Sequence, residues 1–195
     1  MLILCRHGQT AANASGLLLG RADLPLTPKG QAQASAQASA LRAVFDKPDT
    51  RIFASPLLRA QQTAEAYGRP VQAEDNWIEL DYGAFDGRPA SEVPAETWAA
   101  WRIDPTFTPP GGESLHDLGI RARAACEVLA PLAAVGDVVV VSHVSPIKAA
   151  VAWALGCGDE IGWRTHLDVA SITRIAIGPN GPSLRSFNET WFLPA

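Results

Sequence analysis

The segment DVVVVSH, at residues 137–143, constrains the fold more than any other part of this sequence. Four consecutive valines favour a strand that is buried on both faces, which is typical of a parallel sheet covered by helices. A second apolar run, LILC at residues 2–5, stands near the start of the chain. Each run is followed closely by a histidine, His7 in the first case and His143 in the second. Two central strands are therefore expected to end beside groups that can hold a proton, attack phosphorus or bind a metal.

Strand signals and helix signals alternate along the rest of the chain. Strands are also predicted at RIFAS, ITRIAI and the more polar SLRSF, which are residues 51–55, 172–177 and 183–187. Helix starts are predicted from cap residues followed by proline or an acid, at Thr27-Pro28, Ser55-Pro56, Ser114 with Asp117, and Ser145-Pro146. The corresponding helix ends are expected near Phe45, Tyr67, Ala134 and Gly156. This alternation predicts an α/β fold in which helices cover a largely parallel sheet.

The length and composition fit a single domain that spans residues 1–195. The chain has 195 residues and is 47% hydrophobic, which is enough for a substantial buried core. The segment 76–113, rich in tryptophan and proline, interrupts the alternation of strands and helices. We interpret this segment as an irregular insertion of loop and short helix over the edge of the sheet, and not as a second domain.

Composition also bounds the partners of the protein. The net charge of −4 argues against a general nucleic-acid-binding protein, which usually carries a basic patch. No apolar run reaches the roughly 18 residues of a membrane span, and no basic region precedes LILC as it would in a cleaved signal peptide. The cysteines, Cys5, Cys126 and Cys157, are odd in number and far apart, which favours a reducing compartment. The sequence thus predicts a cytoplasmic protein with no cofactor and no nucleic-acid or membrane partner, and it leaves the oligomeric state open.

Two arginines and two histidines are expected at one edge of the sheet. Arg6 and His7 follow the first strand directly, His143 follows the valine run, and Arg59 lies in the first turn of the helix after RIFASP. Ligands of open α/β sheets bind at the carboxyl ends of the strands, where helix N-termini also attract anions. Guanidinium groups match phosphate oxygens with paired hydrogen bonds, and a neutral imidazole can be a nucleophile toward phosphorus. The pattern therefore predicts a phosphate-binding site.

Other common motifs do not fit this sequence. A P-loop needs a Gly-Lys pair, and a nucleophile elbow needs Gly-x-Ser-x-Gly; the chain has neither. A cysteine phosphatase needs an arginine six residues after its cysteine, where Cys5 has Ala11. No Cys-x-x-Cys motif and no closely spaced histidine pair indicates a metal site. These absences leave the predicted phosphate site without support from any of the other motifs.

Six segments in order resemble the motifs of the histidine phosphatase superfamily, which includes the phosphoglycerate mutases. They are LCRHGQTAAN, GRADLPLTPKGQAQA, SPLLRAQQTA, IELDYGAFDG, PPGGES and VVVVSHVSPIK. The resemblance runs from residue 2 to about residue 155. It implies a three-layer α/β/α sandwich with a mostly parallel central sheet, and an enzyme that acts on phosphate esters.

The resemblance also implies roles for particular residues. His7 would be the nucleophile that forms a phosphohistidine. Arg6, Arg59 and His143 would bind the transferring phosphoryl group, with Asn13 assisting. These five residues all lie within the matching segments, so their roles are expected to be those of the family.

Glu79, in the segment IELDYG, would be the proton donor on the same resemblance. A carboxyl beside a phosphate dianion has its pKa raised, so it can protonate the leaving oxygen and later accept a proton from water. Asp81 and Asp86 are the alternative acids in this segment. Arg21 and Tyr82 are further candidates for substrate binding. The alternatives are that Arg21 fixes its loop and that Tyr82 packs in the core.

The chain departs from the family pattern at two places. Val144 and Ser145 follow the second histidine where glycine is usual, although their backbone N–H groups are expected to be available. Leu80 and Asp81 follow Glu79 where the mutases carry basic residues, and Ala90 stands where they carry a lysine. A mutase needs such cations to hold its second anionic group. Their absence favours hydrolysis.

The sequence therefore predicts a phosphomonoesterase that hydrolyses a small phosphorylated metabolite. The alternatives are a phosphoglycerate mutase or dual mutase-phosphatase and, in another class, a non-catalytic domain that binds a phosphorylated ligand. The substrate itself cannot be read from these motifs. Trp98 and Trp101, three residues apart, are expected to be packing residues, with the wall of an apolar substrate pocket as the alternative.

Overall fold

The protein is built on a single mixed sheet of six strands. Residues 1–45 and 49–194 are described by a computed structural model. The strands are β1 (Leu2–Arg6), β2 (Arg51–Ala54), β3 (Val71–Ala73), β4 (Val138–Ser142), β5 (Ile172–Gly178) and β6 (Gly181–Glu189). Their order across the sheet is β3-β2-β4-β1-β5-β6. The strands β3, β2, β4 and β1 run parallel to one another, and β5 and β6 are added in antiparallel pairing.

Helices cover both faces of this sheet. They are α1 (Ala11–Ala14), α2 (Pro28–Phe45), α3 (Leu58–Glu65), α4 (Ala95–Ile103), α5 (Leu115–Val135) and α6 (Val144–Leu155). Leu2 and Leu4 of β1 pack with side chains of α5 and α6, whereas Ile3 and Cys5 pack with side chains of α2 and α3. This alternation places β1 and β4 in the middle of three layers. The predicted α/β/α sandwich with a mostly parallel sheet is confirmed.

The predicted strands are all present, and one strand was missed. β3 has three residues, Val71–Ala73, of which two are exposed at the edge of the sheet. Such a segment carries no apolar run, so its pairing with β2 decides its structure. Residues 46–48 and 195 lie outside the described part. Among the described residues, no helix is both long and apolar enough to cross a bilayer.

Two of the four predicted helix starts need correction. The caps at Thr27 and Ser114 are present, since each hydroxyl accepts a hydrogen bond from the backbone N–H three residues later. Ser55, however, does not cap α3, which begins at Leu58. Helix α6 begins at Val144, so Ser145-Pro146 lies inside its first turn. In both places a side chain from elsewhere in the fold takes the contact that the cap would make.

The segment 76–113 forms three short 3₁₀ turns and helix α4, and lies over α5 and α6. Leu80 and Trp101 are buried there against Leu118 and Ala122 of α5 and Ala149 of α6. This cluster lies beyond the carboxyl ends of β1 and β4, and it closes one side of the site described below.

A close backbone contact fixes the loop that follows β1. Gly8 and Gly30 face each other so tightly that a Cβ on Gly8 would overlap the carbonyl oxygen of Gly30. A Cβ on Gly30 would likewise overlap the carbonyl oxygen of Gln9. The first turn of α2 therefore presses directly on the loop beside His7.

Gly30→Ala is expected to destabilise the protein by about 1–3 kcal/mol, because the backbone must move to admit the methyl group. The sign is informative, since alanine within a helix normally stabilises it relative to glycine. Unfolding in urea, followed by circular dichroism, measures the effect. Ser35→Ala, on the exposed side of α2, is the matched control and is expected to be neutral or slightly stabilising. A stabilised Gly30→Ala protein would contradict the packing described here.

Candidate active site

The carboxyl ends of β1 and β4 bring two histidine rings together. The backbone N–H of His7 donates to the carbonyl of Ser142 at 3.0 Å, which continues the pairing of the two strands. The ring centroids of His7 and His143 lie 5.0 Å apart, at an interplanar angle of 60°. Nε of Arg59 lies 3.3 Å from Nδ1 of His143. The parallel register of adjacent strands is thus what assembles the centre of the site.

His7 is held in the form that a nucleophile requires. Its Nδ1 lies 2.7 Å from the carbonyl oxygen of Gly8, so Nδ1–H donates to that oxygen and the lone pair stands on Nε2. Burial lowers the pKa of His7 well below its usual value, and the charges of Arg59 and Arg6 lower it further. The ring is therefore neutral near pH 7, with a nucleophilic nitrogen.

His143 is completely buried and is also neutral. Burial lowers its pKa well below the usual value, and His7 and Arg59 add to the effect. Its Nδ1 accepts from Arg59, and its Nε2 lies 2.7 Å from Oγ of Ser55. The hydroxyl of Ser55 can accept from Nε2–H or donate to Nε2, so it permits either tautomer of His143. That freedom lets Nδ1 become a donor when an anion enters.

Two guanidinium groups border the histidines, that of Arg59 buried and that of Arg6 half-buried, and backbone carbonyls are their main partners. Arg59 donates to the carbonyls of Gly20 at 2.6 Å and Ala22 at 2.8 Å. Arg6 donates to the carbonyl of Leu167 at 2.5 Å, while its Nε is buried and has no hydrogen-bond partner among the described residues. Neither guanidinium forms an ion pair with a carboxylate within the described part of the chain. Positive charge with a spare donor, desolvated in this way, favours an anionic ligand.

Glu79 occupies the N-terminus of helix α6. Its carboxylate accepts from the backbone N–H of Val144 at 3.0 Å, of Ser145 at 3.2 Å and of Leu80 at 2.7 Å. The expectation that the N–H groups of Val144 and Ser145 are available to phosphate is therefore wrong for this arrangement, because Glu79 already binds both. The same contacts place the side chain of Glu79, which is 3% exposed, against the backbone that follows His143, and its charge acts on Arg6 and Arg59.

The two alternative acids have other roles. The carboxylate of Asp86 accepts from the backbone N–H groups of Gly20, Arg21 and Ala22. Asp81 accepts from the N–H of Gly83 at 2.9 Å. Both acids order loops near the site, so Glu79 is the carboxyl that the fold places at the centre.

The candidates for substrate binding differ in position. Asn13 accepts from the backbone N–H and hydroxyl of Thr10, which caps α1. Arg21 is exposed and contacts Glu113 at 3.2 Å and Asp81 at 3.6 Å, so it fixes its loop. None of the contacts of Asn13 or Arg21 among the described residues reaches the histidine pair. Tyr82, by contrast, borders a cavity beside Glu79.

Three supporting residues were not found from the sequence. Ser55 binds His143, and Thr63 accepts from the N–H of Gly8 at 3.1 Å while donating to the carbonyl of Arg59 at 2.7 Å. Arg121 donates to the carbonyls of Ile78 and Glu79, at 2.7 and 3.2 Å. Except for the bond between Thr63 and Arg59, these contacts join segments that are far apart in the chain. Only the burial of Thr63 in SPLLRAQQTA, four residues after Arg59, could have been suspected from helix spacing.

The comparison with known families agrees with this arrangement. A sequence profile of the histidine phosphatase superfamily (branch 1) matches residues 2–190. The chain belongs to this superfamily. The similarity extends to the whole fold. A phosphoserine phosphatase from Entamoeba histolytica superimposes on this chain with a TM-score of 0.90 at 27% identity. That superposition covers 99% of this chain and 98% of the other.

Relatives of this histidine phosphatase include both mutases and larger proteins. It is 35% identical over 162 residues to a 2,3-bisphosphoglycerate-dependent phosphoglycerate mutase of Gloeobacter violaceus, covering 76% of this chain and 73% of the relative. It is 34% identical over 200 residues to a bifunctional protein of Mycobacterium tuberculosis, covering 98% of this chain. The chain spans about half, 54%, of the length of that mycobacterial relative. In the described part of the histidine phosphatase, no group of three or more His, Cys, Asp or Glu side chains is arranged to hold a metal ion.

The neutral histidines make the stability of this histidine phosphatase depend on pH. An unfolded histidine has a pKa of about 6.5, whereas burial lowers the pKa of His7 and His143 in the folded state. Below about pH 6.5 the unfolded chain binds more protons, so the free energy of unfolding falls as the pH falls toward the folded pKa values. Above about pH 6.5 both histidines are neutral in the folded and the unfolded chain, so they cause no loss of unfolding free energy there.

We expect His143→Gln to have a shallower decline of unfolding free energy between pH 6.5 and 5 than the unmodified protein. The difference in slope can reach about 1.4 kcal/mol per pH unit, which is the value for one proton. Urea unfolding at several pH values measures it. His166→Gln replaces a histidine that is 80% exposed and is the control. Equal slopes for the unmodified protein and His143→Gln would show that His143 is not buried in its neutral form.

Proposed function

We propose that this chain is a phosphomonoesterase of the histidine acid phosphatase type, which hydrolyses a small phosphorylated metabolite without a metal ion. The observation that carries the proposal is the neutral ring of His7, with its lone pair on Nε2, beside the buried guanidinium of Arg59 and the half-buried guanidinium of Arg6. An arriving phosphate dianion supplies the negative counter-charge that these two guanidiniums do not have in the described part of the chain. Repulsion between such a dianion and a neighbouring carboxylate favours a carboxylic acid at that place, as a proton donor requires.

The reaction would proceed in two steps. Nε2 of His7 attacks phosphorus, the bond between phosphorus and the ester oxygen breaks, and that oxygen takes the proton from Glu79. The ionised Glu79 then accepts a proton from water, whose oxygen attacks phosphorus as the phosphorus–nitrogen bond breaks. Inorganic phosphate leaves and His7 is restored. The guanidiniums of Arg6 and Arg59, with His143, would stabilise the charge on the equatorial oxygens in both steps.

Hydrolysis is favoured over mutase activity by the surroundings of Glu79. A mutase must hold a second anionic group while the phosphoenzyme persists, and this needs additional free cations. Leu80 and Asp81 follow Glu79 directly, and the guanidinium of Arg21 is already paired with Glu113. Among the described residues, Lys148 is the single basic side chain that lines the neighbouring cavity. A mutase or dual mutase-phosphatase is the second candidate, supported by the mutase among the relatives.

The decisive experiment measures phosphate release and phosphoryl transfer on the same preparation. With p-nitrophenyl phosphate in excess EDTA, we expect steady release of phosphate and an acid-labile, base-stable labelled phosphoenzyme. With 3-phosphoglycerate and catalytic 2,3-bisphosphoglycerate, we expect no 2-phosphoglycerate above background. Isomerisation without phosphate release would establish the mutase. Complete loss of activity in EDTA, restored by a divalent ion, would contradict the proposal.

A further inference from the structure

An aromatic cavity lies directly beside the proton donor. Leu80, which follows Glu79 in the chain, lines this cavity, and so do Val144 and Ser145, whose N–H groups bind the carboxylate of Glu79. Tyr82 lines it as well. In the proposed reaction Glu79 protonates the leaving oxygen. Glu79 itself is not part of the lining, but the three residues whose N–H groups bind its carboxylate are, and this connects the cavity with the leaving group.

Three tryptophans give this cavity its shape. Trp101 is 1% exposed and stacks with Trp98, with ring centroids 5.6 Å apart at an angle of 27°. Trp163, which is 37% exposed, stands edge-on to Trp98 at 6.0 Å. The rings of Trp98 and Trp163 are thus partly open to solvent, whereas Trp101 is closed in. Such walls offer flat apolar surface to a planar group.

Few polar side chains line this cavity, and some of their hydrogen-bond donors have no partner among the described residues. Nε1 of Trp101 is buried and has no hydrogen-bond partner among the described residues. Nζ of Lys148, which is half-buried, donates to the carbonyl of Gly162 at 2.7 Å, and an ammonium group has two further donors. The nearby acid on the wall, Asp159, is engaged by Arg123 through two contacts of 2.7 and 2.8 Å. Lys148 is therefore able to donate to a ligand.

We infer that this cavity binds the leaving group of the substrate and selects phosphomonoesters whose alcohol carries a planar, heteroaromatic ring with a hydrogen-bond acceptor. The inference rests on the proposed function, because it assigns the leaving group to the side of Glu79. The ring would contact Trp98 and Trp163, and its acceptor would meet Nζ of Lys148. A compact acid such as a phosphorylated amino acid would use Lys148 but would leave the indole faces in contact with water.

A matched pair of substrates tests this inference. Inosine 5′-monophosphate and ribose 5-phosphate present a 5′-phosphate on the same kind of primary alcohol, but only the first carries a planar ring with acceptors. We expect kcat/KM to be at least tenfold higher for inosine 5′-monophosphate. Trp98→Ala is expected to lower that value about tenfold, as for loss of one base-stacking contact, and to change ribose 5-phosphate less than twofold.

Further variants and controls separate the possible outcomes. Lys148→Met is expected to lower kcat/KM several-fold for the ring substrate only, and Trp191→Ala, at a tryptophan that is 69% exposed, is expected to change neither substrate. If Trp98→Ala is poorly folded by circular dichroism, Trp163→Ala replaces it, because Trp163 is more exposed. Equal kcat/KM for the two substrates would overturn the inference. So would a preference for phosphoserine that Lys148→Met abolishes, since the cavity would then bind a carboxylate.

Failure of the inference is distinguishable from failure of the proposed function. If only the inference is wrong, p-nitrophenyl phosphate is still hydrolysed through the labelled phosphoenzyme, and the ring preference is absent. If the proposed function is wrong, no phosphoester is hydrolysed by that route. Inosine alone is a direct probe, because it is expected to inhibit hydrolysis of p-nitrophenyl phosphate competitively, with a weaker effect on Trp98→Ala. Lack of inhibition by inosine at millimolar concentration would count against the cavity as its site.

Discussion

His7→Ala is expected to lower kcat for p-nitrophenyl phosphate by at least about a thousandfold, because removing a nucleophile leaves only binding and charge stabilisation. The physical reason lies in the fixed ring, whose Nδ1–H is bonded to the carbonyl of Gly8 so that Nε2 is the attacking atom. Hydrolysis in EDTA measures the rate. Quenching in alkaline denaturant after incubation with ³²P-labelled substrate measures the phosphoenzyme, because a phosphohistidine is stable to base, and the label should be absent from the variant.

The control for this variant is another histidine of the same chain. His166 is 80% exposed and contacts Asp168 at 3.0 Å. His166→Ala is expected to keep both the rate and the labelled intermediate. Since alanine at position 7 also removes a buried neutral ring, circular dichroism and binding of vanadate should show that the variant is folded and still takes up an anion. Label on the His7→Ala protein, or a rate within tenfold of the unmodified protein, would show that another group is the nucleophile.

The centre of the fold and of the site was predictable because it depends on local pattern. The valine run and LILC predicted the two central strands, and parallel strands end at one edge of a sheet, so His7 and His143 were expected at the same edge. They are neighbours because β1 pairs directly with β4. Arg59 followed from its place in the first turn after β2. These predictions needed only strand type, strand direction and the order of motifs.

Contacts between distant segments could not be predicted in the same way. Ser55 was interpreted as a helix cap, but its hydroxyl binds His143, which is 88 residues away in the chain. The N–H groups at the start of α6 were expected to be available, and Glu79 binds them across 65 and 66 residues. A single sequence gives the capacity of a hydroxyl or carboxyl to bond but not its partner. The aromatic cavity could not be predicted for the same reason, because Trp163 contacts Trp98 only once the chain is folded.

Ordered support surrounds the reacting groups and limits their movement. Thr63 links the N–H of Gly8 to the carbonyl of Arg59, and so ties the nucleophile loop to the helix that carries a phosphate-binding guanidinium. Arg121 binds Glu113 through two contacts of 2.7 and 2.9 Å and also holds the backbone at Glu79. The anion site and the proton donor thus have separate supports. Changes to the acid can be made with the anion site intact.

Glu79→Gln therefore gives the second large effect, and one that depends on the leaving group. The glutamine carbonyl can replace Oε1 and accept from the N–H groups of Leu80 and Ser145, so the side chain keeps its size and two of its three hydrogen bonds; only the bond from the N–H of Val144, which Oε2 accepts, is lost. It can no longer give a proton to the leaving oxygen. An alkyl phosphate needs that proton, and we expect its kcat/KM to fall at least about a hundredfold, within the usual range for general acid catalysis. For p-nitrophenyl phosphate, whose phenolate leaves without protonation, we expect a loss below about tenfold.

Comparing kcat/KM is essential because it reports only the steps up to cleavage of the ester bond. Glu79 must also accept a proton from water in the second step, so kcat for p-nitrophenyl phosphate is expected to fall further than kcat/KM. The visible sign would be a rapid burst of p-nitrophenol, about one per active site, followed by slow turnover. Asp81→Asn, which changes the neighbouring acid that caps Gly83, is the control and should show neither effect. Equal losses of kcat/KM for the alkyl and p-nitrophenyl esters would mean that Glu79 contributes by charge or packing, and the proton donor would have to be sought elsewhere.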